Sequence, residues 1–183
     1  MNRERGPLRW RVAIRAAAFP SAASVLNMLS KKTPGQHSPS SPDFHREDFP
    51  FYWVARVNGL YSMEMERALK AVDCDIPTWR VLAILQQQGS SSVTEIATHA
   101  VAKLSTVTRI VYRMKADGLV TTATSSQDGR VTEVALTPDG ERAMQRVKDA
   151  THNIFERSFK GLTPAKIAKL NELLKILFSN LSD

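Results

Sequence analysis

Residues 92–140 read SVTEIATHAVAKLSTVTRIVYRMKADGLVTTATSSQDGRVTEVALTPDG, and the fold follows from how this stretch divides. Ser92-Val-Thr-Glu95 is a capping box. The serine hydroxyl accepts the amide of Glu95, whose carboxylate reaches back to the amide of Ser92. It predicts a short helix from Val93 to about Ala100. After a turn, Val107, Ile110, Val111 and Met114 recur at helical spacing. They predict a second helix over Leu104 to Asp117, with Gly118 as its C-terminal stop. Two β-rich runs follow, Leu119–Thr124 and Val131–Leu136, and the Asp128-Gly129 pair between them marks a hairpin with a polar tip. Thr137-Pro138 is a cap followed by proline at the first helical position.

Helical patterns flank this stretch on both sides. Val54, Val57, Tyr61, Met65, Ala68 and Val72 line one face of a long first helix, which ends before Asp73–Pro77. A second helix is expected from about Thr78, with Val81, Leu82 and Leu85 inward, stopping at Gly89. Beyond the hairpin, a helix runs from Pro138 to about Lys160. Gly161 ends it, and Thr163-Pro164 repeats the start signal. The last helix sets Ile167, Leu170, Leu174, Leu177 and Leu181 on one stripe, widened by Leu173 and Phe178. The fold class is therefore mainly α with a small β-hairpin wing: a winged helix-turn-helix over about 76–137. A core this small does not need its long flanking helices, so 47–72 and 138–181 read as a dimerisation layer.

The Leu104–Asp117 helix turns its apolar residues inward and leaves Ser105, Thr106, Thr108, Arg109, Tyr112 and Arg113 outward. Short hydroxyls near a helix start bond phosphates or bases. Arg109 can donate two bonds to guanine or clamp a phosphate, and Lys103, at the turn, suits a backbone contact. Taken alone, such a helix is also what any amphipathic surface helix looks like. The wing adds Arg130 at its tip, where an arginine enters an adjacent narrow minor groove. Asp128 reads as the residue that orients it. The candidate DNA-binding residues are thus Lys103, Ser105, Thr106, Thr108, Arg109, Arg113 and Arg130.

Charge supports this placement once it is divided along the chain. The 183 residues carry a formal net charge of +7. Residues 1–46 hold eight Lys/Arg against Glu4 and Asp43, leaving only +1 for everything after them. Glu47–Asp75 has six acids and three bases, whereas His99–Arg130 has five bases and two acids. Positive charge is concentrated where the outward helix and wing lie, the footprint of a local polyanion site. No Ser/His/Asp, Cys/His or paired-carboxylate set, phosphate loop or metal-ligand spacing is present, so neither an enzyme, a cofactor nor a metal is expected. His37, His45, His99 and His152 are scattered. No apolar run approaches a membrane span.

The stretch TEIATHAVAKLSTVTRIVYRMKADGLV and the wing DGRVTEVALTPDG resemble the MarR (multiple-antibiotic-resistance regulator) family. The wing pattern Asp128-x-Arg130, then Leu136-Thr137-x-x-Gly140, carries most of the specificity. The resemblance covers about Glu47 to Leu181. It implies a homodimer on double-stranded DNA at a pseudo-palindromic operator, with half-sites about 34 Å apart. It also implies release by a small aromatic or phenolic acid or thioester, hence a ligand-responsive repressor. An activator with the same DNA contacts and a winged-helix protein-interaction module are the alternatives. The implied ligand pocket would use Tyr52, Trp53, Arg56, Asn58 and Tyr61 of the first helix and Trp79 and Arg80 of the second. Trp53, Arg56, Tyr61 and Trp79 are the ligand-binding candidates: aromatic walls and an arginine suit an aromatic carboxylate. Core aromatics beside surface arginines are the plainer account. Two departures from the family stand out. Val101 occupies a turn position where many members have glycine and disfavours a left-handed backbone there. Lys103 replaces a capping serine, forgoing about 1 kcal/mol and adding a phosphate contact.

Residues 1–46 are expected to be a disordered basic extension and linker, with 47–183 the MarR-like domain. Within the extension, residues 1–27 read as either sequence upstream of a true start at Met28 or a disordered functional arm. The single cysteine favours a cytoplasmic setting. Cys74 stands between Asp73 and Asp75, whose carboxylates oppose thiolate formation, so redox sensing is not expected.

Overall fold

The computed structural model describes residues 38–126 and 128–182. The basic extension read at 1–27 lies outside the described residues, as does the linker up to His37. Two units emerge, Met1–Val54 and Ala55–Asp183. In the first, a 3-10 turn (Arg46–Asp48) precedes a helix, α1 (Pro50–Lys70), that continues into the second. Aromatic rings gather before it. Phe49 meets Phe44 edge-on at 5.7 Å and Phe51 at 5.5 Å between centroids.

The second unit continues with α2 (Ile76–Gln88), β1 (Ser91–Ser92), α3 (Val93–His99) and α4 (Leu104–Ala116). The strands β2 (Val120–Thr124) and β3 (Thr132–Leu136) follow, then α5 (Pro138–Ser158) and α6 (Pro164–Ser182). The wing holds one strand more than expected. Ser91 and Ser92 pair antiparallel with Val134 and Glu133, giving a three-stranded sheet of order β1-β3-β2. Two residues are too few to show alternation, so this strand had no readable period. In the hairpin Val120 faces Leu136 and Thr124 faces Thr132.

Each helix begins where local chemistry favours it. The capping box at Ser92 forms in full: its hydroxyl accepts the Glu95 amide at 3.1 Å, and its amide donates to Glu95 Oε2 at 2.7 Å. Asp75 caps α2 by accepting the Thr78 amide at 2.8 Å. The helix therefore starts at Ile76 rather than near Thr78. Pro77 falls in its first turn, where a missing N–H leaves no bond unmade. Thr137 caps α5 through the amide of Gly140 at 3.0 Å.

The core draws side chains from the first five helices and from β2 and β3. Met65 and Leu69 come from α1, Val81, Leu82 and Leu85 from α2, Ile96 from α3, and Val107 and Met114 from α4. Val120, Val134 and Val147 complete it. Burying each such side chain contributes about 1.5–3 kcal/mol. The first helix departs from its predicted stripe. Val54 and Val57 were expected inward, but Val57 is 64% exposed and Val54 is open too. The stripe from Tyr61 onward does meet this core, with Met65 and Leu69 fully buried and Tyr61, Ala68 and Val72 packed against it. Residues of α6 bury nothing, and Leu170, Leu173, Leu174, Ile176, Phe178 and Leu181 are all exposed.

The turn between α3 and α4 corrects a second expectation. Val101 takes the left-handed conformation after all, at φ 50°. Its neighbours impose this. The Ala102 amide reaches back to Ala97 at 3.0 Å and the Val101 amide to Thr98 at 3.1 Å, closing the end of α3. The strain of a β-branched residue there is about 1–2 kcal/mol.

Candidate nucleic-acid interface

The helix α4 buries Val107, Val111 and Met114, which fixes its opposite face toward solvent. Ser105 and Arg109 are exposed there, and Thr106 and Thr108 are half-buried. Tyr112 stands almost clear of the surface. Lys103 holds the N-cap position in extended conformation, and no side chain caps the first turn. The positive end of the helix and its leading amides are thus presented outward beside an exposed ammonium group, a ready phosphate seat.

Thr108 is placed as expected but chemically constrained. Its hydroxyl donates to the Leu104 carbonyl at 2.9 Å, so its hydrogen is already used and only its lone pairs face outward. Arg113 departs further. It was expected to face DNA, and its Nη2 instead donates to Asp75 Oδ2 at 2.7 Å and to Thr78 Oγ1 at 2.8 Å. No local pattern could show this, because Asp75 lies 38 positions away.

The wing tip is organised around Asp128. Its Oδ1 accepts the Arg130 amide at 3.0 Å and Arg130 Nε at 3.3 Å. Arg130 is nonetheless 92% exposed, so the carboxylate aims the side chain without covering it. The hairpin closes through Ser125 N to Val131 O and Val131 N to Asp128 O, both 2.9 Å. Between α4 and the wing lies a cleft of about 820 Å³. Thr94, Thr108, Tyr112, Lys115, Thr122, Thr124 and Arg130 line it. Hydroxyls and two cations flanking an open groove suit a phosphodiester strand. Thr94, Lys115, Thr122 and Thr124 were not singled out from sequence. Lys115 was visible only as one charge in a basic stretch. The threonines needed the strand register to place them, and Lys115 Nζ donates to Thr122 Oγ1 at 2.6 Å.

The aromatic candidates divide. Tyr61 is half-buried against Trp79 and Phe155, each 6.3 Å away between ring centroids. Burial pushes its phenol up, and Arg80 draws part of that shift back. Arg80 and Phe155 therefore join Tyr61 and Trp79, and Phe155, from α5, was not singled out from sequence. Arg56 is exposed on α1. Trp53 belongs to the first unit, where its indole N–H donates to the Glu47 carbonyl at 2.8 Å. Cys74 is half-buried. Burial raises its thiol most and Asp75 adds to it, while Asp73 plays no part, so the sequence argument had the right direction and the lesser cause. His99 is exposed and hydrogen-bonded to Gln88 at 2.9 Å.

Comparison with known proteins agrees with this geometry. The model of the MarR family matches residues 75–132, from the cap of α2 into the third strand. The chain is 55% identical over 152 residues to the HTH-type transcriptional repressor IacR of Pseudomonas putida, covering 83% of this chain and 91% of that protein. A MarR family transcriptional regulator from Silicibacter pomeroyi superposes with a TM-score of 0.70 at 25% identity, over 79% of this chain and 99% of that one. NadR in complex with 4-hydroxyphenylacetate shares the fold at a TM-score of 0.63 and 21% identity, over 68% of this chain and 89% of its own. With the Pseudomonas putida repressor 55% identical over most of both chains, and the family model matching from the cap of α2 to the start of β3, the chain belongs to the MarR family of transcriptional regulators.

Proposed function

We propose that this protein is a repressor that binds a pseudo-palindromic duplex operator as a homodimer and releases it when a small aromatic acid, or its thioester, binds. The observation that carries the reading is the joined basic surface of α4 and the wing. Lys103, Ser105, Thr106 and Arg109 face outward on the helix and Arg130 is aimed at the tip by Asp128. On this reading Arg109 reads a base, Lys103 and the first turn of α4 hold phosphates, and Arg130 enters the minor groove. Thr108 takes part by releasing its bond to Leu104. The working module is residues 47–183, with 47–72 and 138–181 forming the dimer.

The effector reading rests on two supports. Tyr61, Trp79 and Phe155 form an aromatic cluster with Arg80 beside it. A relative of the same fold holds 4-hydroxyphenylacetate. An aromatic ring stacked in such a cluster, with its carboxylate on an arginine, is a chemically complete recognition scheme. Arg56 remains a candidate contributor from α1.

The test is a titration of the purified full chain against its own upstream intergenic DNA. It is run at two salt concentrations, with and without a panel of aromatic acids and thioesters. Tight binding that weakens steeply with salt and is released by one compound is the expected result. Arg109→Ala is expected to lose about 1–3 kcal/mol on the operator and Arg130→Ala to weaken binding without changing the oligomeric state. No binding to any duplex would overturn the reading.

A further inference from the structure

Arg113 lies one helical turn beyond Arg109 on the helix that carries the outward polar set, yet its guanidinium is engaged by the neighbouring helix α2 at the surface. Both of its bonds go to the start of α2: Asp75 Oδ2 at 2.7 Å and the hydroxyl of the buried Thr78 at 2.8 Å. The other oxygen of the same carboxylate accepts the Thr78 amide and caps α2. One residue thus starts α2 and grips α4. Burial pushes the Asp75 carboxyl up, but the hydroxyl and amide of Thr78 and the Arg113 charge outweigh it and hold the group below the usual range. The Asp75 carboxylate therefore stands charged at neutral pH.

We propose that Asp75 and Arg113 are positioning residues for operator recognition: they set the angle at which α4 presents Ser105, Thr106 and Arg109, and neither touches DNA. The inference rests on α4 being the helix that reads the operator. A helix held only by apolar contacts can roll by small amounts, whereas two directional bonds to a capped helix start fix its rotation.

Charge separates this role from direct contact. Asp75→Asn keeps the cap, since asparagine caps as well as aspartate, but it removes a negative charge from a protein that binds a polyanion. On charge alone it strengthens binding to every duplex. A positioning role has the opposite sign on the operator.

The experiment titrates the full chain, Asp75→Asn, Arg113→Met and the double variant against the upstream intergenic duplex and a scrambled duplex of equal length, across a salt series. Each single variant is expected to lower the operator-to-scrambled affinity ratio about tenfold, with the wild-type salt slope retained. The double variant is expected to be no worse than the poorer single. Arg113→Lys, which keeps the charge and N–H donors but loses the planar guanidinium fork, is expected to recover part of the ratio. Should Arg113→Met fail to fold by circular dichroism, Asp75→Asn decides alone. An unchanged ratio in Asp75→Asn overturns the proposal. So does an equal loss on both duplexes in Arg113→Met with a slope smaller by about one, which makes Arg113 a phosphate contact. A wild-type chain that binds neither duplex removes the operator reading itself, and this proposal with it.

Discussion

Gly140 shows how much one absent methyl group can decide. A Cβ at this position would collide with the backbone carbonyl of Leu119, a partner that cannot swing aside. Gly140→Ala is expected to destabilise the fold by about 2–3 kcal/mol, seen as a Tm lower by roughly 5–10 °C. An unchanged Tm would mean that the start of α5 adapts. The glycine was visible in sequence as part of the Leu136-Thr137-x-x-Gly140 pattern, but its reason was not, because the collision is with a residue 21 positions earlier across a tertiary contact. Val101 is the reverse case. It is 77% exposed and holds φ 50°, so its side chain gains little packing to offset its strain. Val101→Asn, which tolerates that backbone, is expected to raise stability by about 1 kcal/mol, or 2–4 °C in thermal unfolding. That valine disfavours the conformation was legible from the residue type; that the bonds closing α3 impose it regardless was not.

At the scale of elements, caps and ion pairs set the response to acid. Glu95 is held below the usual carboxyl range by the Ser92 amide and hydroxyl. Glu64 is lowered first by its bond from Arg157, 2.5 Å long, which joins α1 to α5. Asp75, at the start of α2, is lowered as well. A folded pKa below the unfolded value contributes stability that is present above the unfolded value and is lost as pH falls through the folded one. Tm is therefore expected to be level between pH 7 and 5 and to fall below about pH 4. Glu95→Gln should show a shallower fall over the same window. A fall equal to wild type would remove the capping box from the acid response. The helices themselves were legible because caps and periodicity are local: Ser92, Thr137 and the stripe of α4 all read correctly. What escaped was set by partners distant in sequence. The two-residue β1 exists only because β3 lies beside it, and Asp75 begins α2 two residues early with a carboxylate that Arg113 also holds.

For the molecule as a whole, the unburied helix is the main fact. A helix with exposed Leu170, Leu173, Leu174, Ile176, Phe178 and Leu181 and no buried residue is an apolar surface that water disfavours. Leu170→Glu with Leu174→Glu is expected to convert a dimer to monomers in sedimentation, with helix content retained. A dimer that persists would place the interface elsewhere. The charge map was legible at this scale from sequence, since counting it by segment pointed to α4 and the wing. The aromatic cluster was legible only in part, because Phe155 reaches Tyr61 from an element nearly a hundred residues away. The backbone of Leu119 draws several of these parts into one point. Its amide is bonded to Met114 at the end of α4, and its carbonyl accepts the Thr137 amide and abuts Gly140 at the start of α5. The Thr137 hydroxyl also reaches the Gly118 carbonyl at 2.6 Å. The helix α4, the root of the wing and the long fifth helix are pinned to a single vertex. A tilt of that fifth helix would carry α4 and the wing with it as one piece, and in the proposed dimer the spacing between two such pieces would become a matter of leverage.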